Sequence, residues 1–145
     1  MDDRGLSTVV SYALALGVVA LLTSTLFVSM AGLVENQRED TVRSTLEVVG
    51  NALVADLHAA DRLADERTGT VALRSDLPDR IAGTQYAIEV NESGSGDVTL
   101  ETHDPEVTVT VPYRTDLTVR ETTVTGGTLV IEYDSDEAVL EVRDD

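Results

Sequence analysis

From Leu6 to Val34 the chain carries no charged residue, and that stretch limits what the rest of the protein can be. At 1.5 Å per residue a helix over it runs about 44 Å, against a hydrocarbon core of about 30 Å. It is long enough to cross a bilayer, which makes lipid the first expected partner. Leu, Val and Ala dominate the stretch and no Pro interrupts it. Ser11, Thr23, Ser24 and Thr25 are polar, but a helical hydroxyl can bond the carbonyl one turn back, so none is stranded in lipid.

A removable secretory signal is the competing reading, because Ser29-Met30-Ala31 places small residues at the end of an apolar run. Three features oppose it. The run exceeds the usual h-region of about 7–15 residues, the leader Met1-Asp2-Asp3-Arg4-Gly5 is not net positive, and helical patterning continues beyond Val34. Charge leaves the orientation open. Arg4 precedes the span, whereas Glu35, Arg38, Glu39, Asp40 and Arg43 follow it.

After Asn36 the polarity changes and the period does not. Val42, Leu46, Val49, Leu53, Leu57, Ala60 and Ala64 recur at spacings of four and three, which is one apolar stripe on a water-exposed helix. Glu39 and Arg43 form an i,i+4 pair on its polar side, and Gly50 is its weak point. A single helix from about residue 7 to about residue 64 is predicted, roughly 87 Å long. Such a rod needs lateral support. Ala13, Gly17, Ala20 and Ser24 lie along one face of the membrane half and permit close helix approach; the alternative is that small residues are simply common in membrane helices. Ala60 and Ala64 make the second stripe thin for a coiled coil.

The short charged leader ending Arg4-Gly5, followed at once by the uncharged helix, resembles the class III signal of archaeal type IV pilins. The resemblance implies cleavage between Gly5 and Leu6 by a prepilin-type peptidase, a cytoplasmic N-terminus and an extracellular C-terminal head. It also implies pilin-like subunits as partners. The architecture is similar to a haloarchaeal group of pilin-like membrane proteins. One departure is Val10, which stands at the fifth mature position where bacterial pilins carry Glu; the apolar stretch also differs from that of archaellins.

From about Asp65 the period becomes two, with Asp65-Glu66-Arg67-Thr68-Gly69 as the expected link. Tyr86, Ile88 and Val90 alternate with polar or small residues. Glu92-Ser93-Gly94-Ser95-Gly96 then turns the chain into Val98, Leu100 and Thr102. Val107, Val109 and Val111 alternate with Thr until Pro112, Leu117 and Val119 begin a short run, and Gly126-Gly127 separates Val124 from Leu129, Ile131 and Tyr133. A last hairpin joins 128–133 to 138–143 through Asp134-Ser135-Asp136-Glu137. One face is apolar throughout, as in a half-buried antiparallel sheet. The predicted fold is therefore α+β, with the helix stripe covering a small antiparallel β head. A small β-sandwich beside a free helix is the alternative. The expected divisions are a leader at 1–5, a transmembrane helix at 6–34, its amphipathic extension at 35–64 and a β head at 65–145.

Little in this chain points to catalysis. His58 and His103 are the two histidines, neither at metal-ligand spacing, and no base is placed beside a Ser. Phosphate loops, nucleotide fingerprints and zinc helices are missing, so we expect no enzyme and no cofactor. Asp134, Asp136 and Glu137 are the one carboxylate cluster with metal-ligand character, but the turn lacks the length and Gly placement of an EF-hand. A solvated hairpin is the default there. With no Cys, disulfides and thiolate zinc sites are excluded.

Charge settles one class of partner. The 27 Asp and Glu against 10 basic residues, all Arg, give a formal charge of −17, which repels nucleic acid. Acidic residues spread through nearly every polar segment fit a surface solvated in very concentrated salt, where like charges are screened; an acidic mesophilic protein is the alternative.

Overall fold

The computed structural model describes residues 3–66, 71–91 and 96–145. Its first element is one helix, α1 (Asp3–Glu66). The chain divides into two compact units, Met1–Arg38 and Glu39–Asp145. The first holds α1 as far as Arg38, including its whole uncharged stretch. Among the described residues the second contains the rest of α1 and eight strands: β1 (Val71–Asp76), β2 (Tyr86–Val90), β3 (Asp97–His103), β4 (Glu106–Pro112), β5 (Thr118–Val119), β6 (Thr122–Thr125), β7 (Thr128–Asp134) and β8 (Val139–Asp144).

This is the α+β fold expected, with a helix packed on an antiparallel-rich β region. All seven predicted stripe residues of α1, Val42 to Ala64, are buried. Six of them, Val42 to Ala60, share one apolar cluster with Ile88, Leu100, Leu129, Ile131 and Leu140 from the strands, so the sandwich with a free helix is not what forms. Fully burying a Leu or Val stabilises by about 1.5–3 kcal/mol, and this stripe is what ties α1 to the head.

The strands divide between two sheets where one was expected. Their orders are β1-β7-β8-β5 and β4-β3-β2-β6. Period-two patterning specifies which face of a strand is buried but not which neighbour it takes. The chain passes between the sheets four times, the last time at Gly126-Gly127, where it leaves β6 in one sheet and enters β7 in the other. A Cβ on Gly126 would lie 2.2 Å from Tyr86 Cε1, and Gly127 has φ +138°, so the corner needs both glycines. Tyr86 is buried against this corner and donates its hydroxyl to Pro78 O at 2.7 Å. Burial, reinforced by the charge of Asp79, pushes its phenol up to about 12.

Two further differences concern the sheet that holds β1. No strand was expected at 71–76, yet β1 pairs antiparallel with β7 from Val71↔Tyr133 to Asp76↔Thr128. At the other edge β5 pairs with β8 in parallel, through Thr118↔Val139 and Val119↔Leu140. The expected link at 65–69 begins too early, since α1 continues to Glu66, and Arg67, Thr68 and Gly69 lie outside the described residues. Glu92 to Ser95 of the expected turn lie outside them too, but β2 and β3 pair antiparallel as expected of a hairpin, with Ile88 opposite Leu100.

Candidate functional site

The first unit presents the feature on which function turns. Among the described residues, one helix is long and apolar enough to cross a membrane. Every large apolar side chain from Val9 to Val34 faces outward, fifteen in all, with Leu14 at 66 % and Phe27 at 68 % exposure. At about 1.5–3 kcal/mol for each such side chain, holding them in water costs on the order of 20–45 kcal/mol. An apolar phase that covered this surface, such as a bilayer, would recover that energy.

Four of its hydroxyls are already satisfied within the helix. Thr23 Oγ1 donates to Val19 O at 2.8 Å, Ser24 Oγ to Ala20 O at 2.9 Å and Thr25 Oγ1 to Leu21 O at 2.9 Å, as the sequence implies. Ser29 does the same toward Thr25 O at 2.9 Å. In hydrocarbon an unbonded hydroxyl is costly, and these hydroxyls never face that cost.

Of the four small residues singled out for helix packing, Ala13 and Gly17 line a shallow apolar groove with Val10, Leu14, Val18 and Leu21. A Cβ placed on Gly17 meets nothing within 4 Å, so nothing inside the chain demands glycine there. Ala20 and Ser24 continue the same helical face beyond the groove, and Ser24 turns its hydroxyl back onto the Ala20 carbonyl. Gly5 and Leu6, at the implied cleavage point, both fall within the opening turn of α1.

The carboxylate cluster in the last hairpin is committed to the turn itself. Asp134 Oδ1 accepts from the backbone N–H of Asp136 at 2.8 Å and of Glu137 at 3.3 Å, an Asx-type turn. Glu137 also pairs with Arg120 of the neighbouring chain segment. Among the described residues no group of three or more His, Asp or Glu is placed to hold a metal ion. The histidines are apart in the fold: His103 ends β3 opposite Glu106, while His58 lines a crevice with Gly96, Pro112, Tyr113 and Arg114.

Three positions that organise the head went unread in the sequence. Gly50, taken as a weak point, is where α1 comes nearest to β3 and β4, since a Cβ there would lie 2.7 Å from Val111 Cγ2 and 2.8 Å from Leu100 Cδ1. Asp56 Oδ2 accepts the hydroxyl of buried Ser75 at 2.6 Å, tying α1 to β1. Asp61 accepts from the backbone N–H groups of Asp116 at 3.1 Å and Leu117 at 3.0 Å, which holds the segment before β5 against the helix. A signal for the two aspartates was present: each interrupts the polar edge of an apolar stripe with a short carboxylate suited to bonding nearby backbone or hydroxyl groups.

Comparison with known proteins adds one finding. A family model described as a family of unknown function matches residues 1–143. No curated protein and no solved structure matches the chain.

Proposed function

The chain belongs to DUF7266, a family of unknown function, and from its own residues we propose that it is a pilin-like, membrane-anchored structural subunit rather than an enzyme. It serves as a minor or accessory component of an archaeal type IV pilus-like assembly. After cleavage between Gly5 and Leu6 the apolar half of α1 resides in the bilayer and packs against equivalent helices, and the acidic β head stands outside the cell. The observation that carries this reading is the wholly outward-facing apolar helix with open space beside Gly17. Val10 lies in the same groove, so an apolar contact takes the place of the carboxylate pairing that a Glu would make at this position.

A single-pass anchor bearing a binding or sensor head is the second reading, favoured by the absence of that Glu. N-terminal sequencing of protein taken from membranes separates these cases. Leu6 as the first residue supports processing, Met1 supports the plain anchor, and Gly32 indicates a secreted protein. Recovery in sheared extracellular filaments then supports assembly, whereas recovery only as a membrane monomer rejects it.

A further inference from the structure

Asn91 is followed by Glu92 and Ser93, the one place in the chain where Asn precedes Ser or Thr by two residues with no Pro between. Asn36 and Asn51 have Arg38 and Leu53 at the corresponding positions. Asn-X-Ser is the acceptor triplet for N-linked glycans, which attach at surface turns of exported domains. We propose that Asn91 Nδ2 is a glycan attachment site, an inference that rests on the head standing outside the cell.

The geometry suits that role. Asn91 immediately follows β2, half-exposed, and its backbone is pinned: its N–H donates to Asp97 O at 3.1 Å and its carbonyl accepts the Tyr113 hydroxyl at 2.6 Å. The side-chain Nδ2 donates to Asp97 Oδ2 at 2.9 Å. A primary amide has two hydrogens and this bond uses one, so replacing the other by a sugar leaves the Asp97 contact intact. Beside it opens the crevice of about 350 Å³ lined by His58, Gly96, Pro112, Tyr113 and Arg114. Tyr113 bonds Asn91, and a Cβ on Gly96 would lie 2.7 Å from Asn91 O, so the crevice adjoins the acceptor. Among the described residues its lining has no carboxylate, and it includes the N–H-bearing His58 and Arg114 and the ring of Tyr113, side chains of the kind that contact sugar hydroxyls and sugar C–H faces.

The transfer uses a lipid-phosphate-linked oligosaccharide as donor. Nδ2 attacks the anomeric carbon, the C–N bond forms as the bond from that carbon to the phosphate oxygen breaks, and the lipid phosphate leaves with the electron pair. The Nδ2 proton passes to a base of the transferase.

The test uses full-length protein from its native membranes. The chain has no Lys, so trypsin releases residues 81–114 as one peptide containing Asn91. Its mass is expected to exceed the sequence mass by at least one sugar residue. Asn91→Gln and Ser93→Ala should each restore the bare mass, while Ser95→Ala should keep the addition; Ser93→Ala leaves the Asn91–Asp97 bond in place and so guards against a folding artefact. In parallel, a non-permeant protease is applied to intact cells. A head that is shaved off yet yields bare 81–114 overturns the glycan assignment and leaves the outward orientation standing. A head that is protected overturns the orientation and the glycan site with it.

Discussion

Asp56 Oδ2 and Ser75 Oγ lie 2.6 Å apart, joining the C-terminal part of α1 to the inward face of β1. Ser75 is buried and Asp56 partly so, which makes this contact a tether between helix and edge strand rather than a surface pair. Asp56→Ala leaves the Ser75 hydroxyl without its acceptor in the core, at a cost of about 1–3 kcal/mol. Changing both to Ala should cost less than the sum of the single changes, because the stranded group is removed. Denaturant unfolding of the detergent-solubilised chain measures the cycle, and strict additivity would count against the tether.

Gly50→Ala sets two effects against each other. Helix propensity favours Ala by about 1 kcal/mol, while forcing a methyl into a packed core costs about 1–3 kcal/mol. Val111 is β-branched and its Cγ2 would be only 2.7 Å from the new Cβ, so it yields little and the steric cost wins. The variant should unfold at lower denaturant by about 1–2 kcal/mol, and adding Val111→Ala should recover part of the loss. An increase in stability from Gly50→Ala alone would show that the helix and strands can separate freely.

These two contacts mark where legibility ended. The stripe from Val42 to Ala64 was readable because each residue repeats a helical period, and all of it is buried. Strand β1 was not, because Val71 and Leu73 give way at the next inward position to Ser75, whose partner is nineteen residues earlier in the chain. Local alternation cannot register a polar core residue satisfied from a distance. Gly50 reads as a defect when only helix propensity is weighed, since the reason for it, Leu100 and Val111, sits on strands far along the sequence. In the apolar half of α1 the sequence marks Ala13 and Gly17 only by their small size, and the structure adds that both line one groove with Val10, Leu14, Val18 and Leu21.

Tyr86 supplies a pH test. Burial, and to a lesser degree the charge of Asp79, raises its pKa from 10.0 to about 12 in the folded protein. Above pH 10 the unfolded chain loses this proton while the folded chain keeps it, so the stabilisation is complete below about pH 10 and disappears as the pH rises toward 12. The loss is on the order of 2 kcal/mol. Tyr86→Phe cannot ionise and should show a shallower decline over the same interval, at the price of the bond to Pro78 O. Parallel stability curves for the two proteins between pH 9 and 12 would refute the assignment.

Salt should act on the head in a definite direction. The chain carries a formal charge of −17, and its exposed pairs, Arg74 with Asp76 and Asp145 and Arg143 with Glu132, are each worth about 0–1 kcal/mol. Lowering salt from 1 M to 0.1 M extends the screening length from about 3 Å to about 10 Å, which strengthens these few pairs and also the repulsion among many more carboxylates. Repulsion dominates, so the thermal midpoint should fall as salt is withdrawn. A neutral osmolyte that leaves the charges unscreened should restore less stability than salt of equal osmolarity; equal recovery would assign the effect to excluded volume.

Gly17 separates assembly from stability. A Cβ there touches nothing within the chain, and replacing Gly in a helix removes about 0.8–1 kcal/mol of propensity cost, so Gly17→Leu should leave the unfolding of the head unchanged. The same side chain would fill the groove formed with Val10, Ala13, Leu14, Val18 and Leu21, and hold a neighbouring helix away. A loss of only about 1.4 kcal/mol per contact lowers association tenfold. Sedimentation of sheared surface material should therefore show the variant depleted from the filament fraction while its membrane level holds, and a Cys at Ala13 should cross-link between chains in the parent but not in Gly17→Leu. If the variant enters filaments as the parent does, the groove is merely a lipid-facing surface and the helix packs through another face.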